Sequence, residues 1–165
     1  MPHIYAINAL NPILLSEVAV GSVVSFLDTD ATLYVRVSRV PLGGGGTFIA
    51  LDEKLTVARV SEENMKKFAC RLPPGDLRVS LGAVAGRAND VLPGQIVLTA
   101  DGPVLGVLES GNFGSSETSY VSMVTWEFVD FPAKSWRIQD CKLLWEPEDQ
   151  RHETSTLLTF LQAGR

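Results

Sequence analysis

Histidine and cysteine, two residue types that often carry catalysis and metal binding, are scarce in this sequence of 165 residues. There are two histidines, His3 and His152, and two cysteines, Cys70 and Cys141. The cysteines form no C-x-x-C pair, and a zinc site or an activated nucleophile needs several such groups at close range. The sequence therefore predicts no metal, no cofactor and no catalytic residue. It also predicts two reduced thiols.

Charge of either sign is sparse as well. Charged residues make up 20% of the chain, below the usual share of about 25%, and the formal net charge is −5. The one adjacent basic pair, Lys66-Lys67, lies close to Glu62 and Glu63. Affinity for nucleic acids comes mainly from neutralised phosphates, so the composition argues against DNA or RNA as a partner. The low charge density favours a large core or a surface covered by a partner.

Long apolar segments are absent too. The longest one near the N-terminus, Ile13 to Val20, is interrupted by Ser16 and Glu17. A membrane-spanning helix needs about 20 apolar residues, and a signal peptide needs a basic segment followed by a continuous apolar one. Neither pattern is present, so we expect no membrane association and a cytoplasmic protein.

Most of the chain consists of short apolar segments separated by Gly, Pro or Asp, a pattern typical of strands joined by turns. Thr32 to Val40 shows a clear alternation, with Leu33, Val35 and Val37 on one face. This period of two predicts a strand with one face in a core and the other toward solvent. Tyr120 to Val129 is apolar on both faces, which predicts a central strand covered twice.

Two helices are expected among these strands. Ser61, followed by two glutamates, favours the start of a short mid-chain helix. Pro147 to Asp149 favours the start of a closing helix that ends at Gly164 and buries Leu157, Leu158, Phe160 and Leu161. We therefore predict a single domain over residues 1–165 with a mainly β fold. We expect an antiparallel β-sandwich or barrel with a short mid-chain helix and a C-terminal helix.

Four consecutive glycines, Gly43 to Gly46, invite comparison with phosphate-binding loops. A P-loop places Lys and Ser or Thr after its last glycine, and a dinucleotide-binding loop opens a helix. Here Thr47 follows directly, without a lysine, and the next residues are typical of a strand. The run is predicted to be a flexible connection between two strands, with a mobile flap over a binding site as the alternative.

Two segments resemble trypsin-like proteases. GGGGTFIALDEKLTVARV, from Gly43 to Val60, resembles the part of their first barrel in which a strand ends in the catalytic histidine, but Arg59 stands at that position. ADGPVLGVLESG, from Ala100 to Gly111, resembles their G-D-S-G-G-P segment, with Asp101 or nothing at the position of the nucleophile. The resemblance implies a relative of these proteases that lacks their activity.

Aromatic residues are concentrated in the last third of the chain, and Trp, Tyr and Arg dominate binding hot spots. Trp126, Trp136 and Trp145 are therefore candidates for a recognition surface, with core packing as the alternative. Glu127 lies in an otherwise apolar segment, where a carboxyl group can have a raised pKa. The alternative for Glu127 is an ion pair with Arg137 on a neighbouring strand.

Tyr34, Arg36 and Arg39 on an early strand are further candidates for this surface. These observations favour a non-enzymatic binding or assembly protein whose partner is another protein or a second copy of the chain. One alternative is a β-barrel that binds a small molecule beneath a glycine-rich lid, with Trp126 or Glu127 inside. Another is a small hydrolase that uses Glu127 or a cysteine.

Overall fold

The computed structural model describes residues 11–27, 32–72, 74–148 and 154–160, and within them the chain forms three antiparallel sheets. Sheet A has the strand order β1-β6-β2-β3-β4-β5. Its strands are β1 (Pro12–Leu14), β2 (Val23–Phe26), β3 (Leu33–Val37), β4 (Gly46–Ala50), β5 (Val57–Val60) and β6 (Phe68–Arg71). The predicted mainly β, antiparallel fold is thus confirmed.

The remaining strands form sheets B and C. Sheet B has the order β12-β11-β10-β9-β13-β8, and sheet C has the order β15-β14-β7. Their strands are β7 (Gly75–Ser80), β8 (Val84–Arg87), β9 (Ile96–Thr99), β10 (Gly102–Ser110), β11 (Ser116–Ser122), β12 (Phe128–Val129), β13 (Trp136–Ile138), β14 (Lys142–Pro147) and β15 (Ser155–Thr159). The sheets show no clear closure into a sandwich or a barrel, so that finer part of the prediction has no support.

One hydrophobic core is shared by all three sheets. Val35 and Ile49 reach it from sheet A, Leu105 and Val121 from sheet B, and Leu143 from sheet C. A second, smaller cluster covers the other face of sheet A with Leu15, Val18, Val24, Phe48, Val60, Met65 and Ala69. Sheet A is therefore apolar on both faces, and its second face carries the cleft described below.

The helical content is small. The predicted mid-chain helix is a single 3-10 turn, Asn64–Lys66, and the Ser61 hydroxyl accepts a hydrogen bond from the Asn64 N–H at 3.3 Å. None of the helices in the described residues is long and apolar enough to cross a membrane. The turn carries the chain from β5 to β6, which pairs with β2.

The predicted C-terminal helix is wrong. Residues 155–159 form β15 instead, which pairs with β14 and places Leu158 opposite Leu143. The open edge of β14 offers a row of backbone hydrogen bonds, and pairing also covers the core with Leu157, Leu158 and Phe160. Leu161 and Gly164 lie outside the described residues.

The predicted continuous strand from Tyr120 to Val129 is also wrong. It is interrupted after β11 by a turn in which the Trp126 N–H donates to the Ser122 carbonyl at 2.8 Å. Trp126 has a positive φ of 56°, which a strand does not tolerate. The chain then returns as β12, antiparallel to β11.

Glu109 on β10 joins sheet A to sheet B. One carboxylate oxygen accepts hydrogen bonds from Arg39 and Arg59, both at 2.7 Å, and the other accepts one from the Ser119 hydroxyl at 2.6 Å. Arg39 follows β3, Arg59 lies on β5 and Ser119 lies on β11. We call these four residues the Glu109 cluster. The Glu109 side chain is 14% exposed. Because both arginines bind this one carboxylate, removing its charge leaves them without their shared partner.

The Glu109 cluster predicts a measurable stability effect. We expect Glu109→Gln to lower the free energy of unfolding by about 1–2 kcal/mol, a value reduced from that of a fully buried pair because both arginines are partly solvated. Urea denaturation measures it. The matched control is Asp90→Asn, which removes the exposed ion pair with Arg137 and should cost less than about 0.5 kcal/mol. Equal effects of the two substitutions would contradict the assigned role of Glu109.

The same contacts predict a pH dependence. Burial by itself raises the pKa of Glu109, but hydrogen bonds from Ser119, Arg59 and Arg39 and the charge of Arg39 outweigh it and hold the pKa below its ordinary value. A carboxyl group with a depressed pKa adds stability that is complete above its unfolded pKa, roughly 4.3. That stability is lost as pH falls through the folded pKa.

We therefore expect the difference in unfolding free energy between the wild type and Glu109→Gln to be constant near neutral pH. It should shrink as pH falls below the ordinary pKa of glutamate and disappear below the lower pKa that Glu109 has in the folded protein. Urea denaturation of both proteins across a pH series measures this difference. A difference that grows toward acid pH would show that the carboxylate form of Glu109 is not the stabilising one.

Candidate binding surfaces

An open cleft of about 640 Å³ lies on the second face of sheet A. It is bounded by the ends of β2 and β5 and by the segment from the 3-10 turn to the start of β6. Eight residues line it: Leu15, Phe26, Leu27, Arg59, Val60, Asn64, Lys67 and Phe68. We call this feature the sheet A cleft. Five of these side chains are apolar, so the cleft suits an apolar group of a ligand.

Phe26, which lines the sheet A cleft, belongs to a group of packed aromatic rings. Phe26 stacks on Tyr34 with ring centroids 4.0 Å apart and meets Phe48 edge-on at 5.3 Å. At the rim, Leu27 is 60% exposed and Phe68 is 57% exposed. Fully burying such a side chain contributes roughly 1.5–3 kcal/mol, so the rim favours contact with an apolar partner.

Two cations lie beside this apolar surface. Arg59 is held by Glu109, whereas Lys67 makes no salt bridge with any residue that the structure describes. Asn64 adds an amide that can donate or accept a hydrogen bond. The cleft therefore combines an apolar floor with a positive rim, which fits an apolar group that carries or adjoins a carboxylate.

Two hairpin tips form a second surface. The β3–β4 connection contains Leu42 and the β10–β11 connection contains Phe113, and both side chains are fully exposed. β3 and β5 both pair with β4 in antiparallel orientation, so β3 and β5 run in the same direction. Thr56, next to β5, forms a parallel bridge with Leu108 of β10, so β10 runs in that direction too. β3 and β10 therefore point the same way, and their tips project from the same end of the molecule.

The glycine run belongs to the first of these tips. Gly43, Gly44 and Gly45 have φ values of 89°, 89° and 99°, which side chains rarely adopt. A Cβ atom on Gly45 would lie 1.9 Å from the Val60 carbonyl oxygen. The run connects two strands, as predicted, and it is not among the residues that line the sheet A cleft.

Phe113 combines full exposure with an unfavourable backbone. Its φ is 60°, in the left-handed region that costs a residue other than Gly roughly 1–2 kcal/mol. Its side chain gains nothing from burial, so neither property contributes to folding. A strained, exposed aromatic residue is a reason to look for a binding role.

Replacing Phe113 should therefore stabilise the protein. We expect Phe113→Asn to raise the free energy of unfolding by about 1 kcal/mol, because asparagine tolerates the left-handed conformation. Thermal or urea denaturation measures the change. The control is Leu42→Asn at the neighbouring tip, which should have little effect because Leu42 has no positive φ. A loss of stability in Phe113→Asn would mean that the ring supports the fold.

The structure separates the early-strand candidates. Tyr34 lies behind the sheet A cleft, stacked on Phe26. Arg36 donates hydrogen bonds to the carbonyl groups of Leu15, Ser16 and Val18 at 3.3, 3.2 and 2.5 Å, which anchors the segment that covers this face. Arg39 belongs to the Glu109 cluster and lies over the Phe128 ring, 3.2 Å from its centroid.

The later candidates are dispersed as well. Trp126 packs against the shared core, and Trp145 is buried in it. Trp136 is partly exposed on sheet B, with the Arg87 guanidinium 5.6 Å from its ring centroid. Glu127 is exposed, and Arg137 pairs with Asp90 rather than with Glu127. These residues do not form one surface.

Several residues of both surfaces were missed from the sequence. Phe68 and Leu27 become neighbours because β6 pairs with β2, a long-range contact that no local pattern announces. Phe113 did have a local signal, since a bulky residue between Gly111 and Gly114 in a turn has no reason to be buried. Glu109 had no local signal in the sequence, because the residues that bind it come from three other strands or their ends.

The described residues contain no group of three side chains able to hold a metal ion. Comparison of the chain with protein-family models, with curated proteins and with solved structures found no significant match. The resemblance to trypsin-like proteases thus rests on two short segments, and Arg59, at the position of their histidine, binds Glu109.

Proposed function

We infer that this chain is a non-enzymatic protein-binding protein and that the sheet A cleft is its contact surface. The observation that carries this inference is the combination of an apolar floor, exposed Leu27 and Phe68 at the rim, and Lys67 without a salt bridge among the described residues. Exposed apolar side chains around a concave, positively charged site are typical of recognition surfaces.

The chemistry of the cleft favours binding over catalysis. Among the described residues that line it, none carries a carboxylate, a thiol or an imidazole. Its polar groups are a guanidinium, an amide and an ammonium, which suit the recognition of an anion. The inferred ligand is therefore a segment of another protein or of a second copy of this chain, with a bulky apolar side chain close to an aspartate or glutamate.

The small-molecule alternative has less support. The cleft is open to solvent, whereas sites for small molecules usually enclose most of their ligand. Neither the glycine run nor Trp126 or Glu127, the residues expected for a lidded barrel, lines the cleft. An open surface of this kind suits a protein segment better than a small ligand.

Selection of displayed random peptides against the immobilised protein tests the proposal. We expect selected peptides to share an aromatic or leucine side chain flanked by acidic residues. Leu27→Ser should weaken their binding roughly tenfold, because burial of such a side chain stabilises a complex by about 1.5 kcal/mol or more. The matched control is Leu92→Ser, which changes a leucine of similar exposure, 53% against 60%, outside the cleft.

The charge requirement is tested separately. Lys67→Glu should weaken the same peptides, and Lys142→Glu, an exposed lysine on β14, should not. Peptides that bind equally well to all four variants, or a selection that enriches no common pattern, would contradict the assignment of the cleft.

A further inference from the structure

We propose that the segment bound in the sheet A cleft is the β10–β11 hairpin tip of a second copy of this chain, so that two copies exchange tips in a symmetric dimer. This proposal depends on the function inferred above and names its partner. It joins two features that the fold of one chain leaves unused, an open apolar cleft and a fully exposed aromatic side chain.

The shapes and polarities of the two features match. Phe113 stands at the tip between Gly111 and Gly114, where it can enter a concave site without steric interference from larger neighbours. The cleft is lined by the rings of Phe26 and Phe68, and aromatic pairs gain more than the burial of their area alone provides. The cleft volume of about 640 Å³ leaves room for a phenyl ring and adjoining backbone.

The charges match as well. Glu117 on β11 is exposed, lies four residues after Phe113, and has no salt bridge among the described residues. Lys67, the cleft cation without a salt bridge, is its natural counterpart in a second copy. Glu117 lies opposite Glu109 in the β10–β11 ladder. Arg39 and Arg59 form their salt bridges with Glu109 and not with Glu117, so the Glu117 carboxylate can pair with a cation of a second copy.

The positions of tip and cleft allow a closed dimer. Arg59 lines the cleft and binds Glu109, which lies two residues before the β10–β11 connection begins. The Arg59 side of the cleft therefore lies toward the tip, whereas Leu27 and Phe68 lie toward the opposite end of sheet A, because β2 is antiparallel to β3 and β5. A two-fold axis between cleft and tip lets each copy insert its tip into the other, and closed two-fold dimers are the commonest form of homo-oligomer.

A membrane is a less suitable occupant of the tips. Membrane surfaces that attract proteins electrostatically are anionic and bind Lys and Arg clusters. Near the tips, both arginines are held by Glu109, whereas Glu117 and Glu62 bring negative charge, the latter beside Gly44. The acidic tip fits the basic rim of the cleft and not an anionic bilayer.

Sedimentation equilibrium of the full-length protein over a wide concentration range tests the proposal. We expect a monomer–dimer equilibrium that Phe113→Asn and Phe68→Ser each weaken by roughly tenfold or more, as truncation of a hot-spot aromatic side chain does. The matched control is Val84→Ser on the edge strand β8, which has the same exposure as Phe68, 57%, and should leave the equilibrium unchanged.

A charge exchange gives the sharper test. Glu117→Lys and Lys67→Glu should each weaken the dimer, and the double variant should restore it, because the ion pair is re-formed with reversed polarity. A strictly monomeric wild type, a dimer indifferent to Phe113→Asn, a dimer sensitive to Val84→Ser, or a double variant weaker than both single variants would overturn the proposal.

The failure of this proposal is distinguishable from failure of the inferred function. If the protein is monomeric but selected peptides still bind the cleft and lose affinity in Leu27→Ser, the dimer is wrong and the binding function stands. If neither a dimer nor peptide binding is found, both are wrong. Binding of the wild type to phosphatidylserine vesicles that requires Phe113 and Leu42 would assign the tips to a membrane and overturn the proposed dimer.

Discussion

The carboxylate of Glu109 is the polar contact that ties sheet A to sheet B beside their shared hydrophobic core. It holds one arginine from the end of β3 and one from β5, and it receives a hydroxyl hydrogen bond from its own sheet. A single acceptor shared by two cations is strong because both bonds are charge-assisted. The same contact sets the position of Arg59 at the cleft and the root of the β10–β11 tip, so it links both candidate binding surfaces to the packing of the sheets.

The protein leaves apolar surface exposed where folding does not require it. Leu27 and Phe68 border the cleft, and Leu42 and Phe113 stand on neighbouring tips. Scattered exposed apolar residues are ordinary, but these are grouped on one concave surface and one convex surface. Phe113 also accepts backbone strain without any return in burial. Natural proteins tolerate such stability costs where binding requires them. We therefore assign the binding function to these exposed residues and not to the buried tryptophans.

The strands were largely predictable because their pattern is local, and the errors came from segments that satisfy two patterns. Val35 and Val37 face the core, as the alternation of β3 indicated. Leu157, Leu158 and Phe160 fit a helical stripe in sequence, yet the open edge of β14 offered both hydrogen bonds and apolar contact to an extended segment. Pairing with a neighbour outweighed local preference there, as tertiary context commonly does for short segments.

The sequence by itself determined the class of the fold, the turn at the glycine run and the small supply of catalytic side chains, since these follow from composition and from neighbours along the chain. The tertiary structure alone decided the sheet A cleft and the Glu109 cluster. Phe26 pairs with Ala69 where β2 meets β6, and Arg39 and Arg59 reach from sheet A to Glu109 on sheet B, so these contacts join residues 43 to 70 positions apart. Contacts of that range are set by how the sheets pack, and no periodicity in the sequence encodes which side chains they bring together.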